Sequence, residues 1–526
     1  MPSRRTKDEG LRTETGSGLV TVLAMTAVVT TLIGVVLALF VTQHRFIQRD
    51  VHRTEAIYRA EAAVYQALAR LHTDPDWRPV GDSLAPLPYP VPDGGGDQER
   101  RVSPAPRVWA RPLGGFWQLR ADAQVGTATA SVRTRFGEHP TRHFDQALVL
   151  GDTLSALTLT AEARLIGGIR MGSQGVRTAP LRGRPFRGSF QGGATQVRED
   201  PLPRFSPRLF DETMDRLDAY LTEARRVAGD PPPGSSDEEG TLFPWPAALD
   251  PNVSDIAAEG LFTDSLQVLV GRGIVALTPE DSLLLRRPIF LLVNGDLTLS
   301  GPLRFALGST LAVTGDLTFG PEVAGQEFLV YARTIAASGA NLSGQLLARD
   351  GVRLDGSTRL AYPSVVYVEG KDGAQANAGR THTGSLDTEV GEEGARSDAP
   401  QDLVVASASV DGTLLYPALG GVAAGQGASV QLEEEARIRG AVYANTRTET
   451  SARLDGTLLT RQLFFYEAPA TYINWLRAGT LNRPARPESF VLPIGFDTPP
   501  SLRRTDEPRY EVVSWQEQIS TARTDV

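Results

Sequence analysis

The strongest constraint on this chain is an uncharged apolar run of 23 residues, Leu19 to Val41, close to the N-terminus. As an α-helix rising about 1.5 Å per residue, it would be roughly 35 Å long and would cross a hydrocarbon core of about 30 Å. A cleaved secretory signal usually has an apolar stretch of about 7–15 residues followed by a cleavage site of small residues. Ala38-Leu39-Phe40 offers no such site, so we predict a membrane-spanning helix. The side chains assigned to this membrane helix are Leu19, Val20, Leu23, Leu32, Ile33, Leu37, Phe40 and Val41.

The helix is predicted to continue beyond the membrane to residue 73. Apolar side chains recur there with helical spacing and would form one packing stripe. The stripe consists of Ile57, Glu61, Val64, Leu68 and Leu71, interspersed with alanines. Asp74-Pro75 ends the helix, because a residue that precedes proline avoids helical dihedral angles. We expect the second half of the helix to pack on a soluble domain or on a neighbouring subunit.

Positive charges on the two sides of the apolar run favour one membrane orientation. Four basic residues precede the run and three follow it, namely Arg4, Arg5, Lys7 and Arg12 against Arg45, Arg49 and Arg53. Because Lys and Arg are enriched on the cytoplasmic side, this small bias favours a cytoplasmic N-terminus. We predict a single-pass protein of the inner (cytoplasmic) membrane with an extracytoplasmic C-terminal domain.

The stretch Thr15-Gly16-Ser17-Gly18-Leu19-Val20-Thr21-Val22-Leu23 resembles the N-terminus of type IV pilin-like proteins, especially PilX-type minor pilins and the large minor pseudopilins of type II secretion. Tyr58-Arg59-Ala60-Glu61-Ala62-Ala63 resembles a segment that follows the membrane helix in PilX-type proteins. By this resemblance, Gly16 would end a charged leader of residues 1–16, and Ser17 would be the first mature residue. The resemblance also implies a prepilin peptidase and other pilin-like subunits as partners, in addition to the lipid bilayer.

One position departs from the pilin pattern. Most pilins have Glu at the fifth mature position, where it is thought to pair with a neighbour's N-terminal amine, and here Thr21 takes that place. An unpaired carboxylate in lipid is costly, so the absence of Glu fits a minor or tip subunit. The alternative left open is a plain signal anchor with a chance glycine before it.

Composition narrows the class of the remaining chain. The 526 residues include 41% hydrophobic and 22% charged residues, with 52 Gly and 36 Pro, which indicates a folded region with many turns. The absence of Cys excludes disulfides and thiolate metal sites. A net charge of −9 gives no support for nucleic-acid binding, so we predict no nucleic-acid partner.

Short strands separated by Gly, Asp or Asn turns recur from residue 145 onward. A Gly-Asp-Leu-Thr unit begins at Gly295 and again at Gly315, and Gly344 and Gly440 lie in similar apolar-polar-Gly segments. Repeats of about twenty residues are typical of stacked solenoid coils, which share a core that no single coil can form. A β-sandwich would show longer strands at wider spacing. We predict a mainly β protein in which a long N-terminal α-helix is followed by a small β-hairpin region and a parallel β-solenoid.

The predicted domain layout follows from these patterns. An interruption of the solenoid contains one helix, Pro207 to Val227, with an apolar face of Phe210, Met214, Leu217 and Leu221. Tyr472 to Leu476 is interpreted as a short closing helix, and the polar tail after Phe496 as loosely ordered. The predicted segments are a leader at 1–16, the helix at 17–74, a small β region at 75–144, the solenoid at 145–475 with an insertion at 178–251 and a flexible loop at 371–402, and a tail at 476–526.

No combination of residues indicates catalysis. His139 and His143 have the spacing of metal ligands on a helix, but Pro140 argues against a helix there. The loop that begins at Gly271 superficially matches a dinucleotide-binding loop, but Thr278-Pro279 leaves no room for the helix that should follow. We predict no metal, no cofactor and no catalytic residue. Five aspartates in Gly-containing turns are interpreted as turn residues, namely Asp296, Asp316, Asp355, Asp411 and Asp455.

Two functional hypotheses follow. The first is a structural subunit, without enzymatic activity, that takes part in the biogenesis of a type IV pilus or related filament. Its solenoid would be displayed for adhesion or a tip function, with a surface ligand or polysaccharide as a possible partner. The alternative is a membrane-tethered solenoid that binds or cleaves envelope polysaccharide.

Overall fold

A computed structural model describes residues 14–74, 77, 80–83, 104–228, 241–244, 267–279, 283–370, 403–418, 429–467, 470–497 and 509–521. The protein is mainly β with one long N-terminal helix and a parallel solenoid, so the predicted fold class is confirmed. The two α-helices are α1, Glu14–Thr73, and α2, Arg208–Ala228, and two short 3₁₀ helices lie at Arg142–Asp145 and Arg483–Ala485.

Five strands form a separate sheet. Two of them, Phe116–Val125 and Ala128–Glu138, make the predicted hairpin, in which Gly126 takes the left-handed conformation. The strand order in this sheet is Val80–Ser83, Arg107–Leu113, Phe116–Val125, Ala128–Glu138 and Tyr510–Thr521. By contacts, the chain divides into one unit of residues 1–109, 120–133 and 516–526 and a second unit of residues 110–119 and 134–515.

The second unit contains the solenoid, whose coils are built from short strands that pair in parallel with the coil before and the coil after. From residue 267 onward its strands are Gln267–Arg272, Val275–Leu277, Leu283–Leu284, Ile289–Asn294, Leu297–Leu299, Leu303–Arg304, Thr310–Val313, Asp316–Phe319, Ala324–Ser338, Asn341–Asp355, Arg359–Val368, Leu403–Val405, Ser409–Tyr416, Val430–Leu432, Arg437–Thr450, Arg453–Glu467 and Thr480–Asn482. Thr241–Pro244 pairs antiparallel with Gln267–Arg272 at one end of the stack.

An earlier part of the chain completes the other end of the solenoid. Leu148 pairs in register with Leu458, and Ile169 pairs with Leu148 one coil further out. The coils after Arg453–Glu467 therefore come from residues that precede the rest of the solenoid in sequence. These strands are Gln146–Leu150, Leu157–Leu159, Arg164–Ile166, Gly168–Met171, Val176–Thr178, Ser189–Gln191 and Ala194–Gln196.

Aliphatic side chains stacked in register fill the interior of the solenoid. One such column contains a single buried residue from each of ten successive coils. Its members are Leu291, Leu311, Val330, Leu346, Val366, Leu414, Val442, Leu458, Leu148 and Ile169. Each fully buried aliphatic side chain contributes about 1.5–3 kcal/mol, so the stack is held by many equivalent increments.

The turn motifs occupy the corners of these coils. The two Gly-Asp-Leu-Thr units lie directly above one another, with Leu297 opposite Leu317, and the Asp316 amide donates to Asp296 Oδ1 at 2.8 Å. At another corner Gly412, Gly440 and Gly456 are in register. Gly440 has φ +148°, and a Cβ added there would lie 2.0 Å from the Gly412 carbonyl oxygen. Only glycine allows coils to stack this closely at that corner.

A second apolar column lies on the outside of the solenoid, and α2 covers part of it. The column alternates aliphatic residues with tyrosines, namely Val270, Leu292, Ala312, Tyr331, Leu347, Tyr367, Leu415, Tyr443, Leu459 and Val149. Phe210 of α2 stacks on Tyr367 with ring centroids 4.2 Å apart, and Tyr331 Oη donates to Asp218 Oδ1 at 2.8 Å. The predicted apolar face of this helix is confirmed, because Phe210, Met214, Leu217 and Leu221 are all buried.

Polar side chains fix the remaining segments that cover this outer face. Gln345 is 2% exposed, and its amide donates to the Leu113 carbonyl and accepts from the Gly115 amide, both at 2.7 Å. Glu138, which is 6% exposed, accepts a hydrogen bond from the Phe496 amide at 3.3 Å and lies 3.5 Å from Arg509. Burial, only partly opposed by Arg509, raises the pKa of Glu138 to about 7.

Three predictions about local structure are wrong, and they concern the closing helix, the C-terminal tail and the extent of the insertion. Tyr472–Leu476 is not a helix: Ala470–Ile473 pairs with Arg453–Glu467, and Trp475–Leu476 pairs with Leu157–Leu159. Asn474, between the two strands, has φ +54°, which helical residues do not adopt.

The tail after Phe496 is not loosely ordered throughout, because it contains the strand Tyr510–Thr521, whose Tyr510 packs edge-on against Phe136.

The predicted insertion 178–251 contains two strands that belong to the solenoid, namely Ser189–Gln191 and Ala194–Gln196. The predicted loop 371–402 lies outside the described residues.

Replacing Gly440 with alanine should lower the free energy of unfolding of the solenoid by about 1–3 kcal/mol, because the added Cβ meets the Gly412 carbonyl and L-residues disfavour its φ. Thermal unfolding of the full chain in detergent, followed by circular dichroism, measures this loss. Gly193→Ala is the control, since no heavy atom lies within 4 Å of its added Cβ. Equal midpoints for the two variants would contradict the packing argument.

The stability of the protein should depend on pH through Glu138. The carboxyl has a pKa of about 7 in the folded chain against an ordinary value of 4.5, so the folded state holds the proton more tightly. Its stabilising contribution is complete below about pH 4.5 and is lost as the pH rises through about 7. Glu138→Gln should therefore reduce the loss of thermal stability across this interval, and the exposed Glu162→Gln should not. Identical pH profiles for Glu138→Gln and the parent protein would disprove the assignment.

Candidate membrane-anchoring and assembly site

The first half of α1 has the surface of a lipid-facing helix. The described helix from Gly18 to Thr73 contains a window of mean hydropathy 2.5, none of which is buried by the rest of the chain. Leu19, Leu32 and Phe40 are 67%, 63% and 68% exposed. The other predicted membrane residues, Val20, Leu23, Ile33, Leu37 and Val41, are also exposed. Length and composition therefore make this segment a candidate membrane span.

Threonine hydroxyls in this half are satisfied within the helix. Thr26, Thr30 and Thr31 each donate to the carbonyl four residues earlier, at 2.7–2.8 Å. Thr42 makes the same bond to Ala38 at 2.7 Å. A hydroxyl without a partner is costly in hydrocarbon, so these bonds make the helix compatible with lipid at these four positions.

The predicted processing residues lie at the beginning of α1. The helix begins at Glu14, so the backbone of Gly16, Ser17 and Thr21 is helical. The side chain of Ser17 lies outside the described residues. Cleavage after Gly16 remains a prediction from the resemblance to pilins.

The second half of α1 is packed through an alanine-rich stripe. Ala56 contacts Val125 and Ala130, the two arms of the hairpin, within the first compact unit. The buried residues of the stripe are Ala56, Ala60, Ala63, Val64, Ala67 and Leu71. Small side chains allow the helix to lie close to the sheet, and their high helix propensity keeps it continuous.

Glu61 belongs to the predicted stripe but carries a carboxyl group. It is half-buried, and its pKa is raised by burial and by the nearby carboxylate of Glu517. The packed face of α1 therefore includes one acidic position.

The opposite face of this half carries an apolar stripe that the sequence analysis missed. Val51, Tyr58 and Tyr65 are 56%, 55% and 62% exposed and follow one another at intervals of seven residues. Residues at this spacing lie on one face of an α-helix, so the signal was present in the sequence. The sequence alone does not show whether this face is covered, because the alanine stripe on the other face already accounts for the packing of the helix.

The other candidate residues have structural roles. Asp316 binds Arg333, Asp355 binds Arg353, and Asp455 binds both Arg437 and Arg453. Gly273 forms a coil corner between two strands, and the strand Val275–Leu277 follows it.

The two histidines are not brought together as ligands. His139 Nδ1 lies 3.1 Å from Glu511 Oε2, whereas His143 is buried near Arg170, and burial lowers its pKa to about 4. Within the described ranges no group of three His, Asp or Glu residues could hold a metal ion.

Charged substitutions in the exposed apolar half should release the protein from membranes. Leu32→Arg combined with Val35→Arg should cost about 2.5–3.5 kcal/mol of insertion free energy per residue. Most of the variant should then appear in the soluble or aggregated fraction after alkaline extraction of membranes. Tyr58→Arg combined with Tyr65→Arg, in the second half of α1, is the matched control and should remain in the membrane. Full retention of the Leu32/Val35 variant would contradict the assignment.

Comparison with known proteins adds little to these observations. No family model matches the chain, and no curated protein sequence matches it. Among solved structures, the chain is similar to the competence-associated pilin ComZ from Thermus thermophilus, with 11% identity over 89% of this chain and 98% of that chain. The TM-score is 0.18. At that value the similarity carries no argument for the fold or function of this protein.

Proposed function

We propose that this protein is a membrane-anchored, minor pilin-like subunit that takes part in the biogenesis of a type IV pilus or related filament. Its solenoid would be displayed outside the cytoplasm for adhesion or for a function at the filament tip. In this proposal the role is structural rather than catalytic, and the partners are other pilin-like subunits and a prepilin peptidase.

The observation that carries the proposal is that the two halves of α1 have different surroundings. One continuous helix of 60 residues has a fully exposed apolar first half and a second half packed through its alanines. A plain signal anchor needs only the first half, because crossing the bilayer takes about 20 residues. A helix that continues into a folded domain is suited to hold that domain at a fixed position on a filament.

The exposed stripe of Val51, Tyr58 and Tyr65 supports the same proposal. Large apolar residues aligned along a helix face are typical of surfaces that contact another chain. This stripe continues the apolar surface of the membrane half into the soluble half. A subunit leaving the bilayer for a filament would therefore offer apolar side chains along most of its helix.

The sequence of the mature N-terminus tests the proposal. Mass spectrometry of the protein purified from its native membrane should find Ser17 as the first residue. Gly16→Leu should abolish this processing, because the resemblance places the peptidase cut after Gly16. Gly18→Ala, which introduces no contact within 4 Å, should be processed normally.

An intact N-terminus would count against a filament subunit. Met1 or Pro2 as the first residue, together with a sugar-degrading activity, would favour the membrane-tethered solenoid that binds or cleaves envelope polysaccharide.

A further inference from the structure

One end of the solenoid has an open strand edge. The outermost coil contains Ser189–Gln191 and Ala194–Gln196, which pair on their inner side with Arg164–Ile166 and Gly168–Met171. Among the described residues no strand pairs with their outer side. We call residues 189–196 the edge segment. It consists of two three-residue strands joined by a corner at Gly192 and Gly193, so a peptide of six or so residues would have to bend at the same corner to pair with both strands.

Hydrogen bonds show which amides of the edge segment face outward. The backbone groups of Ser189, Gln191, Gly193 and Val197 bond to the coil beneath, at 2.8–3.1 Å. Groups in a parallel strand alternate between its two sides. The N–H and C=O groups of the intervening residues therefore point away from the solenoid, namely those of Phe190, Gly192, Ala194 and Gln196.

The opposite end of the solenoid is covered by an additional strand. There Thr241–Pro244 lies antiparallel against the outer side of Gln267–Arg272. Unpaired strand edges can recruit other chains, and proteins usually cover or charge them. At the open end charge is present, but no strand from the described part of the chain covers the edge.

The charge at the open end is positive. Residues 162–200 contain seven Arg against three acidic residues, whereas the rest of the chain has 46 basic against 59 acidic residues. Arg184, Arg187 and Arg198, which flank the edge segment, are exposed. A second copy of this chain would bring the same positive charge to the edge, so pairing between two such edges is opposed by repulsion.

We propose that the edge segment of residues 189–196 docks an extended acidic peptide from a partner protein, which adds a parallel or antiparallel strand to the open end of the solenoid. The outward amides would bond the peptide backbone, and the arginines would bind its carboxylates. An anionic polysaccharide or a nucleic acid could bind the arginines. Neither has a peptide backbone that could extend the hydrogen-bond ladder of the strands. The proposal does not depend on the filament assignment.

A synthetic probe tests the docking site with the full-length protein in detergent. We expect a blocked peptide of three Glu-Val repeats to bind with a dissociation constant of about 1–100 μM. Bound peptide should slow amide hydrogen exchange at Phe190, Gly192, Ala194 and Gln196. A peptide of three Lys-Val repeats is the control for charge and should not bind.

Two variants separate the contributions of charge and backbone. Arg184→Gln, Arg187→Gln and Arg198→Gln together should weaken binding by at least about tenfold, because they remove charge-assisted bonds. Gln196→Pro should also weaken it, because proline removes one outward N–H and leaves the arginines in place. The matched control removes three exposed arginines at the other end of the solenoid, namely Arg286→Gln, Arg287→Gln and Arg304→Gln, and should bind normally.

Three outcomes would overturn the proposal. The first is no binding of the Glu-Val peptide to the folded parent protein. The second is equal binding of the peptide, a polyuronate and duplex DNA without protection of the four amides, which would indicate a general anion-binding surface. The third is that the variant in which Arg184, Arg187 and Arg198 are all replaced by Gln still binds the peptide but self-associates. That result would indicate that these arginines only protect the edge from aggregation.

Discussion

The structure depends on the stacking of aliphatic side chains between coils that pair in register. No coil can bury Leu311 or Val330 alone, because the atoms that cover each side chain belong to the coils above and below. Backbone pairing sets the register, and the register determines that each aliphatic residue lies on another. The corner glycines serve this stacking, since a side chain at Gly440 would hold adjacent coils apart.

The outer apolar column explains why α2 interrupts the solenoid. A sheet face that carries ten aliphatic residues and tyrosines in line would be exposed without a cover. The helix covers it through Phe210 and Tyr220, which contact Tyr367 and Phe290. The predicted insertion thus contains a second layer of the core, and the hydrogen bond from Tyr331 to Asp218 fixes where that layer lies.

The sequence predicts those parts of the fold that local patterns specify. The apolar run and the residue before Pro75 give the extent of α1, and the repeated Gly-Asp-Leu-Thr unit predicts stacked coils. The local sequence around Leu148 cannot show that this residue pairs with Leu458, because the two residues are 310 positions apart in the chain. The helix predicted at Tyr472–Leu476 failed because the left-handed conformation of Asn474 is stabilised by tertiary bonds, including one to Asp152. Similarly, Val51, Tyr58 and Tyr65 share a helical spacing, but only the structure shows which face of α1 is left uncovered.

The assembly of the solenoid from two distant parts of the chain affects how the protein can be made. Residues 146–196 leave the ribosome before the strand Arg453–Glu467, with which Gln146–Leu150 pairs. Until that strand has been synthesised, the first coils lack the coil on which they stack. The apolar residues in them therefore remain in contact with water. Contacts of such high sequence separation form slowly, so the newly synthesised chain must pass through a long-lived, partly folded state. A truncation that removes the last coils should therefore impair the earliest part of the solenoid as severely as the latest.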